Sequence, residues 1–395
     1  MLEPSSPGFL QEPDPRPLLP AWALPSRAVS TLEPTGFAAA APDGRAEGIR
    51  ALRATPSVAG PRSSDPITGA VFERLQVLPR DGRRIYRRAF ALAERQIRIE
   101  ICVLEDPIIL AGLRKALDRG VRVRAIVDRG KYEALDAEQQ NLAGDFVAAG
   151  GELHLSNPIF PRSFPKTILI DAKLLVYGSA CLDSTTFAQY RDFALASTDP
   201  RVLRTIRRLF TNDWAFSAPV GQPPPPFNPT PAVKPRELLI APRNAASGMA
   251  DLYQQARKRL LVYSEELGNA ALESQLVGAV KRGVRVQLVT PAQVNGFTAE
   301  QNAQHASAIA ALQAVGVAVR TSGPDQSAAQ PYMHARAAVV DHRLAYVGSI
   351  SLSPDSATVN REMGLIKDDP RLVKDLARRF RKDFRRLGPS MPSHG

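Results

Sequence analysis

Cysteine is almost absent, with Cys102 and Cys181 as the pair in 395 residues. Two cysteines exclude a disulfide framework and a four-cysteine zinc site, and each stands in an apolar, strand-like run, so both read as small buried thiols. Long apolar runs are missing too. No stretch of about 18 apolar residues is available to cross a bilayer. The opening Met1-Leu2-Glu3-Pro4 lacks the basic-then-apolar order of a secretory signal, and a cytoplasmic protein is expected. Aromatic residues make up 6% of the chain and form no stripe interleaved with basic residues, which weighs against base stacking on nucleic acid. Acidic residues number 39 against 51 basic ones, and the resulting charge of +12 favours anionic partners: phospholipid headgroups, nucleic acid or phosphorylated metabolites.

Proline, by contrast, is plentiful, with 34 residues that cluster. Residues 1–65 are rich in Pro, Ala, Ser and Gly without a sustained period and predict a disordered arm. The run from Gly221 through Pro223-Pro224-Pro225-Pro226 to Pro235 predicts an extended linker over residues 219–235. The chain therefore divides into a first half of residues 66–218, a second half of residues 236–388 and a tail of residues 389–395. A hydrophobic content of 44% is ample for a buried core in each half.

The halves repeat one another. Pro79/Pro242, Ala93/Ala256, Leu104/Leu267 and Gly120/Gly283 stand 163 apart, whereas Asp171/Asp341, Arg191/Arg361, Pro200/Pro370 and Phe210/Phe380 stand 170 apart. A seven-residue insertion reconciles the offsets. Apolar runs rich in β-branched residues at 97–104, 121–127, 260–264 and 284–289 predict strands, and Gly120 and Gly283 supply left-handed helix stops. Each half thus reads as an α/β unit.

His334-Ala335-Arg336, then Asp341, Gly348 and Ser349, is the densest chemical signal. Lys166, Asp171, Gly178 and Ser179 repeat its spacing, but Phe164 stands where the imidazole belongs. Segments 167–170 and 337–340 predict motif strands, with 174–177 and 344–347 as their antiparallel partners. Glycine after each hairpin is expected to let the backbone approach a ligand, and the following serine to offer a hydroxyl and an amide to phosphate. Cleaving a phosphodiester without a metal requires a nucleophile, an acid for the leaving oxygen and fixed positive charge, which two such motifs could supply together.

These residues resemble the phospholipase D superfamily motif, His-x-Lys, then Asp, then Gly-Ser, over roughly residues 66–387. In the second copy His334, Asp341, Gly348, Ser349, Asn360 and Glu362 are in register, and Arg336 replaces lysine. The first keeps Lys166, Asp171, Gly178, Ser179 and an acid, Asp192, but has Phe164 for histidine and Cys181 where the family commonly has asparagine. The resemblance implies two fused repeats, each a mixed β-sheet flanked by helices, related by an internal pseudo-twofold. It implies a phosphodiesterase or phosphatidyltransferase that forms a phosphohistidine and uses neither metal nor cofactor. His334, Arg336, Asp341, Lys166 and Asp171 would then be catalytic, Ser349, Ser179 and Asn360 would bind phosphate, and Glu362 and Asp192 would support them. A phospholipid substrate with peripheral membrane-surface contact is the implied partner, and nucleic acid the weaker alternative.

Phe164 can neither attack phosphorus nor move a proton, and losing a general acid or base costs about 10²- to 10⁴-fold in rate. His334 is then the expected nucleophile, with water, Tyr190 or His154 as the replacement acid. A binding module that retains an anion cleft without turnover is the rival reading. In the closing helix near 372–387, Val373, Leu376, Phe380 and Phe384 share one face, as Val202, Ile206, Phe210 and Trp214 do in the first half. Both helices are expected to dock on their sheets with basic residues in solvent.

Overall fold

The structure, a computed structural model, describes residues 72 and 74–387 apart from 325. The expected arm of residues 1–65 and the tail of 389–395 lie outside the described residues. The first half runs β1 (Gln76–Val77), α1 (Arg84–Leu92), β2 (Gln96–Ile101), α2 (Pro107–Leu117), β3 (Arg122–Val127), α3 (Arg129–Glu133), α4 (Ala137–Ala148), β4 (Glu152–Leu155), β5 (Thr167–Ile170), β6 (Leu174–Gly178), α5 (Ser184–Gln189), β7 (Phe193–Ser197), α6 (Pro200–Ala215) and β8 (Ala218–Pro219). The second runs β9 (Leu238–Ala241), α7 (Ala245–Gln254), β10 (Arg259–Tyr263), α8 (Ala270–Lys281), β11 (Arg285–Pro291), α9 (Ala299–Ala314), β12 (Ala318–Ser322), β13 (Arg336–Val340), β14 (Leu344–Gly348), β15 (Glu362–Lys367) and α10 (Pro370–Arg386).

One sheet has the order β1-β7-β6-β5-β2-β3-β4-β8 and the other β12-β11-β10-β13-β14-β15-β9. Both are mixed. β2, β3 and β4 are parallel, as are β10, β11 and β12, and the motif strands β5 and β13 join antiparallel to β2 and β10. Strands buried on both faces need apolar residues throughout, and the motif strands divide theirs with period two. Ile168 and Ile170 enter the outer core of the first half and Leu169 the central core; Ala338 and Val340 face the outer core of the second half, Ala337 and Val339 the centre. Helices α1, α2 and α4 cover one outer face and α7, α8 and α9 the other, while α6 and α10 contribute to the central cluster that joins the sheets.

Short-range chemistry sets the boundaries. Asp199 and Asp369 cap α6 and α10 through the amides of Arg201 and Leu372, and a proline opens each helix, where its missing N–H costs nothing. Gly120 and Gly283 take φ of +81° and +82° behind α2 and α8, as their left-handed role requires. Gly178 and Gly348 have a different reason from the one expected. A Cβ at Gly178 would overlap the carbonyl of Phe193, and one at Gly348 the backbone of Met363 and Gly364. These glycines admit the neighbouring strand rather than a ligand.

The two sheets are braced reciprocally. Arg191, just ahead of β7, pairs with Asp383 on α10 at 3.0 Å; Arg361, its counterpart just ahead of β15, pairs with Asp213 on α6 at 2.6 Å. The expected docking of α10 holds, with Val373, Leu376 and Phe380 buried. The proline-rich connection begins within β8, which pairs with β4, and then crosses the joint as a strap. Phe227 packs edge-on against Phe160 and Phe216, and Thr230 accepts a hydrogen bond from Arg361 Nη1 at 3.2 Å.

Asp213→Ala strands the Arg361 guanidinium, which is 2% exposed. Unfolding in urea is expected to show a loss of about 3–5 kcal/mol, the usual consequence of removing one partner of a buried pair. A loss below about 1 kcal/mol would remove this brace from the account of what joins the halves.

Candidate active site

The chain ahead of each motif strand is pinned to the opposite half. Phe164 donates its amide to Arg361 O at 2.7 Å, and Arg361 donates to Arg162 O at 2.8 Å; on the other side Arg191 donates to Tyr332 O at 2.8 Å and Tyr332 to Gln189 O at 3.0 Å. Isolated bridges Ser163–Arg361 and Tyr190–Tyr332 mark the same contacts. Positions 164 and 334 therefore occupy corresponding places at the seam. The acids Asp192 and Glu362 each follow one of the arginines that brace it.

His334 is 8% exposed and reaches across the seam: its Nδ1 lies 2.8 Å from Asp192 Oδ2. Asp192 is held in turn by Ser179, whose hydroxyl donates to Oδ1 at 2.6 Å while accepting the Phe193 amide at 3.0 Å. A carboxylate at Nδ1 fixes the proton there and leaves the lone pair on Nε2. Burial holds the imidazole well below its usual value and so neutral, with Arg336 and Lys166 pressing the same way and Glu265 opposing. Burial also raises Asp192, with Lys166, the Ser179 hydroxyl and Arg336 restraining the rise.

Arg336 Nη1 stands 3.0 Å from His334 Nε2, and its Nη2 pairs with Glu265. Glu265 Oε2 lies 3.6 Å from His334 Nε2, and Oε1 accepts the Tyr332 hydroxyl at 2.8 Å. Arg336 Nε is a buried donor without an acceptor among the described residues, and its N–H suits an anionic oxygen. Tyr190 packs its ring 5.3 Å from that of His334, on the histidine side of the seam, and its hydroxyl accepts from Asn295 Nδ2 at 2.9 Å. Burial pushes the Tyr190 phenol up to about 12, which makes it a reluctant donor.

The first-half side differs in chemistry but not in placement. The cysteines expected as free thiols are joined as the disulfide Cys102–Cys181, with Cα atoms 6.0 Å apart. Spacing of 79 residues concealed the pair in the sequence, because β2 and the turn after β6 meet only in the folded sheet. Lys166 Nζ lies 2.9 Å from Cys181 Sγ and 3.5 Å from Cys102 Sγ, with the Phe164 ring centroid at 5.5 Å. Glu362, which by symmetry would meet an imidazole at position 164, instead accepts from Asn360 Nδ2 at 3.1 Å and Ser356 Oγ at 2.9 Å. Burial pushes its carboxyl up to about 7.

Thus His334, Arg336, Lys166, Asp192, Ser179, Asn360 and Glu362 come together, while other expected residues do not. Asp171 and Asp341 sit at the far ends of β5 and β13, roughly 15 Å along the strand from the motif cations. They occupy tight hairpin turns at φ of 50° each. Each carboxylate collects backbone amides: Glu94, Arg95 and Gln96 for Asp171; Arg257, Lys258 and Arg259 for Asp341. Their role is to lock the hairpin to β2 or β10, because aspartate tolerates the left-handed turn and its short carboxylate reaches those donors. Ser349 turns its hydroxyl to the backbone of Met363, and Ser179 is engaged by Asp192, so neither is free for phosphate. His154, on β4 and three strands from β5, stacks on Trp214 at 3.8 Å and meets the Ser217 hydroxyl, away from the seam. Glu265 and the disulfide escaped the sequence reading. The signal was present in the 163-residue offset, which places Glu265 opposite Cys102.

A sequence family described as "Cardiolipin synthase, PLD-like domain" matches residues 86–214 and 249–384. Mitochondrial cardiolipin hydrolase of Xenopus tropicalis is 36% identical over 109 residues, 28% of this chain and 46% of that protein. Cardiolipin synthase A of Pseudomonas fluorescens is 27% identical over 120 residues, 30% of this chain and 25% of that protein. The chain thus spans less than half the length of these curated relatives. Phosphatidylserine synthase of Haemophilus influenzae shares the fold with a TM-score of 0.62 at 13% identity, covering 81% of this chain and 88% of that one. Polyphosphate kinase of Porphyromonas gingivalis shares it at a TM-score of 0.54 and 17% identity, covering 78% of this chain and 50% of that one.

Because the folded Glu362 carboxyl binds its proton more tightly than an unfolded glutamate, its contribution to stability is fully present below about pH 4.5 and is lost as pH rises through about 7. Urea unfolding of wild type and Glu362→Gln between pH 4.5 and 8 is expected to show wild type losing on the order of 3 kcal/mol relative to the variant. Parallel profiles would mean that Glu362 does not titrate in this window.

Proposed function

The chain belongs to the phospholipase D-like family of the cardiolipin synthase type, and on that basis we propose that it is a phosphodiesterase or phosphatidyltransferase acting on phospholipid through a phosphohistidine at His334. The observation that carries this reading is the hydrogen bond of 2.8 Å from His334 Nδ1 to Asp192 across the seam, which leaves Nε2 as the attacking nitrogen. As Nε2 bonds to phosphorus and the bond from phosphorus to the leaving ester oxygen breaks, that oxygen departs as the alcohol with a proton taken from the site, the imidazole becomes cationic, and Asp192 stabilises the charge through the proton it already receives. Arg336 holds the equatorial oxygens, with its unpartnered Nε as one donor, and Lys166 adds a second positive charge beside them. Water then releases a phosphatidic acid, or an acceptor alcohol receives the phosphatidyl group.

The names of the relatives make an anionic phospholipid such as cardiolipin the first substrate to examine. Peripheral contact with a lipid surface belongs to the same reading, and no helix among the described residues is long and apolar enough to cross a membrane. The Cys102–Cys181 bond is typical of oxidising compartments and pulls against the expected cytoplasmic setting. Phe164 favours the rival reading, a binding module with an intact anion cleft and no turnover.

Release of nitrophenol from bis(p-nitrophenyl) phosphate, of choline from phosphatidylcholine vesicles and of phosphatidic acid from cardiolipin vesicles, with cleavage of single-stranded DNA measured alongside, separates the two. Wild-type turnover is expected, with loss of at least about 10³-fold in His334→Asn as its nucleophile disappears. Phe164→His is expected to raise turnover about 10²-fold by supplying the second imidazole. Absence of His334-dependent turnover on every substrate would favour the binding module, and cleavage of single-stranded DNA alone would redirect the substrate class.

A further inference from the structure

An in-line displacement begun by His334 expels the leaving oxygen toward the first half, where a second imidazole would stand if position 164 were histidine. The groups present there are the Phe164 ring, the disulfide and Lys166. Resting on the reading above, we propose that Lys166 is the proton-transfer residue of this site: its ammonium protonates the leaving alcohol in the first step, and its amine takes the proton of the attacking water or alcohol in the second.

Geometry supports this in three ways. Lys166 is 3% exposed, and among the described residues no carboxylate lies within ion-pair distance of Nζ, whose hydrogen-bond neighbours are the two neutral sulfurs. The equivalent cation, Arg336, is committed to Glu265 and as a guanidinium never releases a proton. The backbone of Lys166 adopts φ of 53°, a conformation lysine seldom takes, which its surroundings impose just ahead of β5. Burial and the nearby Arg336 charge weaken its hold on the proton relative to an ordinary lysine, with Asp192, Glu265 and Glu362 opposing.

The cycle balances. As the bond from Nε2 to phosphorus forms and the bond from phosphorus to the leaving oxygen breaks, Nζ gives that oxygen its proton and becomes a neutral amine. Water then bonds to phosphorus and yields a proton to Nζ, while the phosphorus–nitrogen bond breaks and its electron pair returns to His334. Diester and water become monoester and alcohol, and the protein is unchanged. Phe164 and the disulfide then share a consequence: neither offers the ammonium a carboxylate or an oxygen acceptor, only the ring face at 5.5 Å and the two sulfurs.

Lys166→Arg tests this, since arginine keeps the charge, already occupies the equivalent place at 336, and cannot transfer a proton. Choline release from phosphatidylcholine vesicles is expected to fall about 10²- to 10⁴-fold. With bis(p-nitrophenyl) phosphate, whose leaving group needs no acid, the variant should give a burst of about one nitrophenolate per chain and then stall as phosphohistidine accumulates. The wild-type rate should decline at a pH well below the usual lysine range, and the variant should lack that limb. Adding Phe164→His to Lys166→Arg should restore choline release at least about tenfold. Equal losses on both esters without a burst, an unchanged choline rate, or no restoration in a folded double variant would overturn the assignment. Loss of the reading beneath it looks different, namely wild-type turnover that survives His334→Asn.

Discussion

Everything at the seam depends on two reciprocal ion pairs, Arg191 with Asp383 and Arg361 with Asp213, which tie each half to the closing helix of the other. Buried pairs of this kind add little net stability over an apolar substitute, yet leaving one partner alone is expensive, so they select one relative placement of the halves. That placement has a chemical result. The residues next to these arginines are Asp192 and Glu362, and both acids are thereby held within the joint. Asp192, next to Arg191 in the chain and held by the Ser179 hydroxyl, stands 2.8 Å from His334 Nδ1.

On this symmetric frame the chemistry is asymmetric. The second half contributes a neutral imidazole with its proton directed to Asp192, and a guanidinium balanced by Glu265. The first contributes a phenyl ring, a disulfide and a buried ammonium without a carboxylate partner among the described residues. Each half carries one motif cation, but the two meet opposite electrical surroundings. Glu362, whose imidazole partner is missing, keeps its proton to about 7 and adds no full negative charge near an anionic substrate below that pH.

Much of the fold was legible because it is written twice. The double offset located the halves, the motif hairpins and the glycine stops, since a repeated spacing reports a repeated packing constraint. The same repetition misled where a residue is retained for the scaffold. Asp171 and Asp341 recur as faithfully as His334 and Lys166 could, but recurrence cannot separate a residue that meets substrate from one that caps three amides. Gly178, Gly348 and Ser349 belong to the same class, being retained for neighbouring strands.

By itself the sequence determined two α/β repeats, an excess of basic over acidic residues, a surviving His334 and a missing imidazole at Phe164, because these follow from local pattern and residue identity. The tertiary structure decided which groups meet. Asp192 and His334 lie 142 positions apart, Lys166 and the sulfurs 15 and 64, and Arg336 and Glu265 71. Hydrogen bonds and ion pairs act over a few ångströms regardless of chain separation, so their partners emerge only when the sheets pack and water leaves the joint.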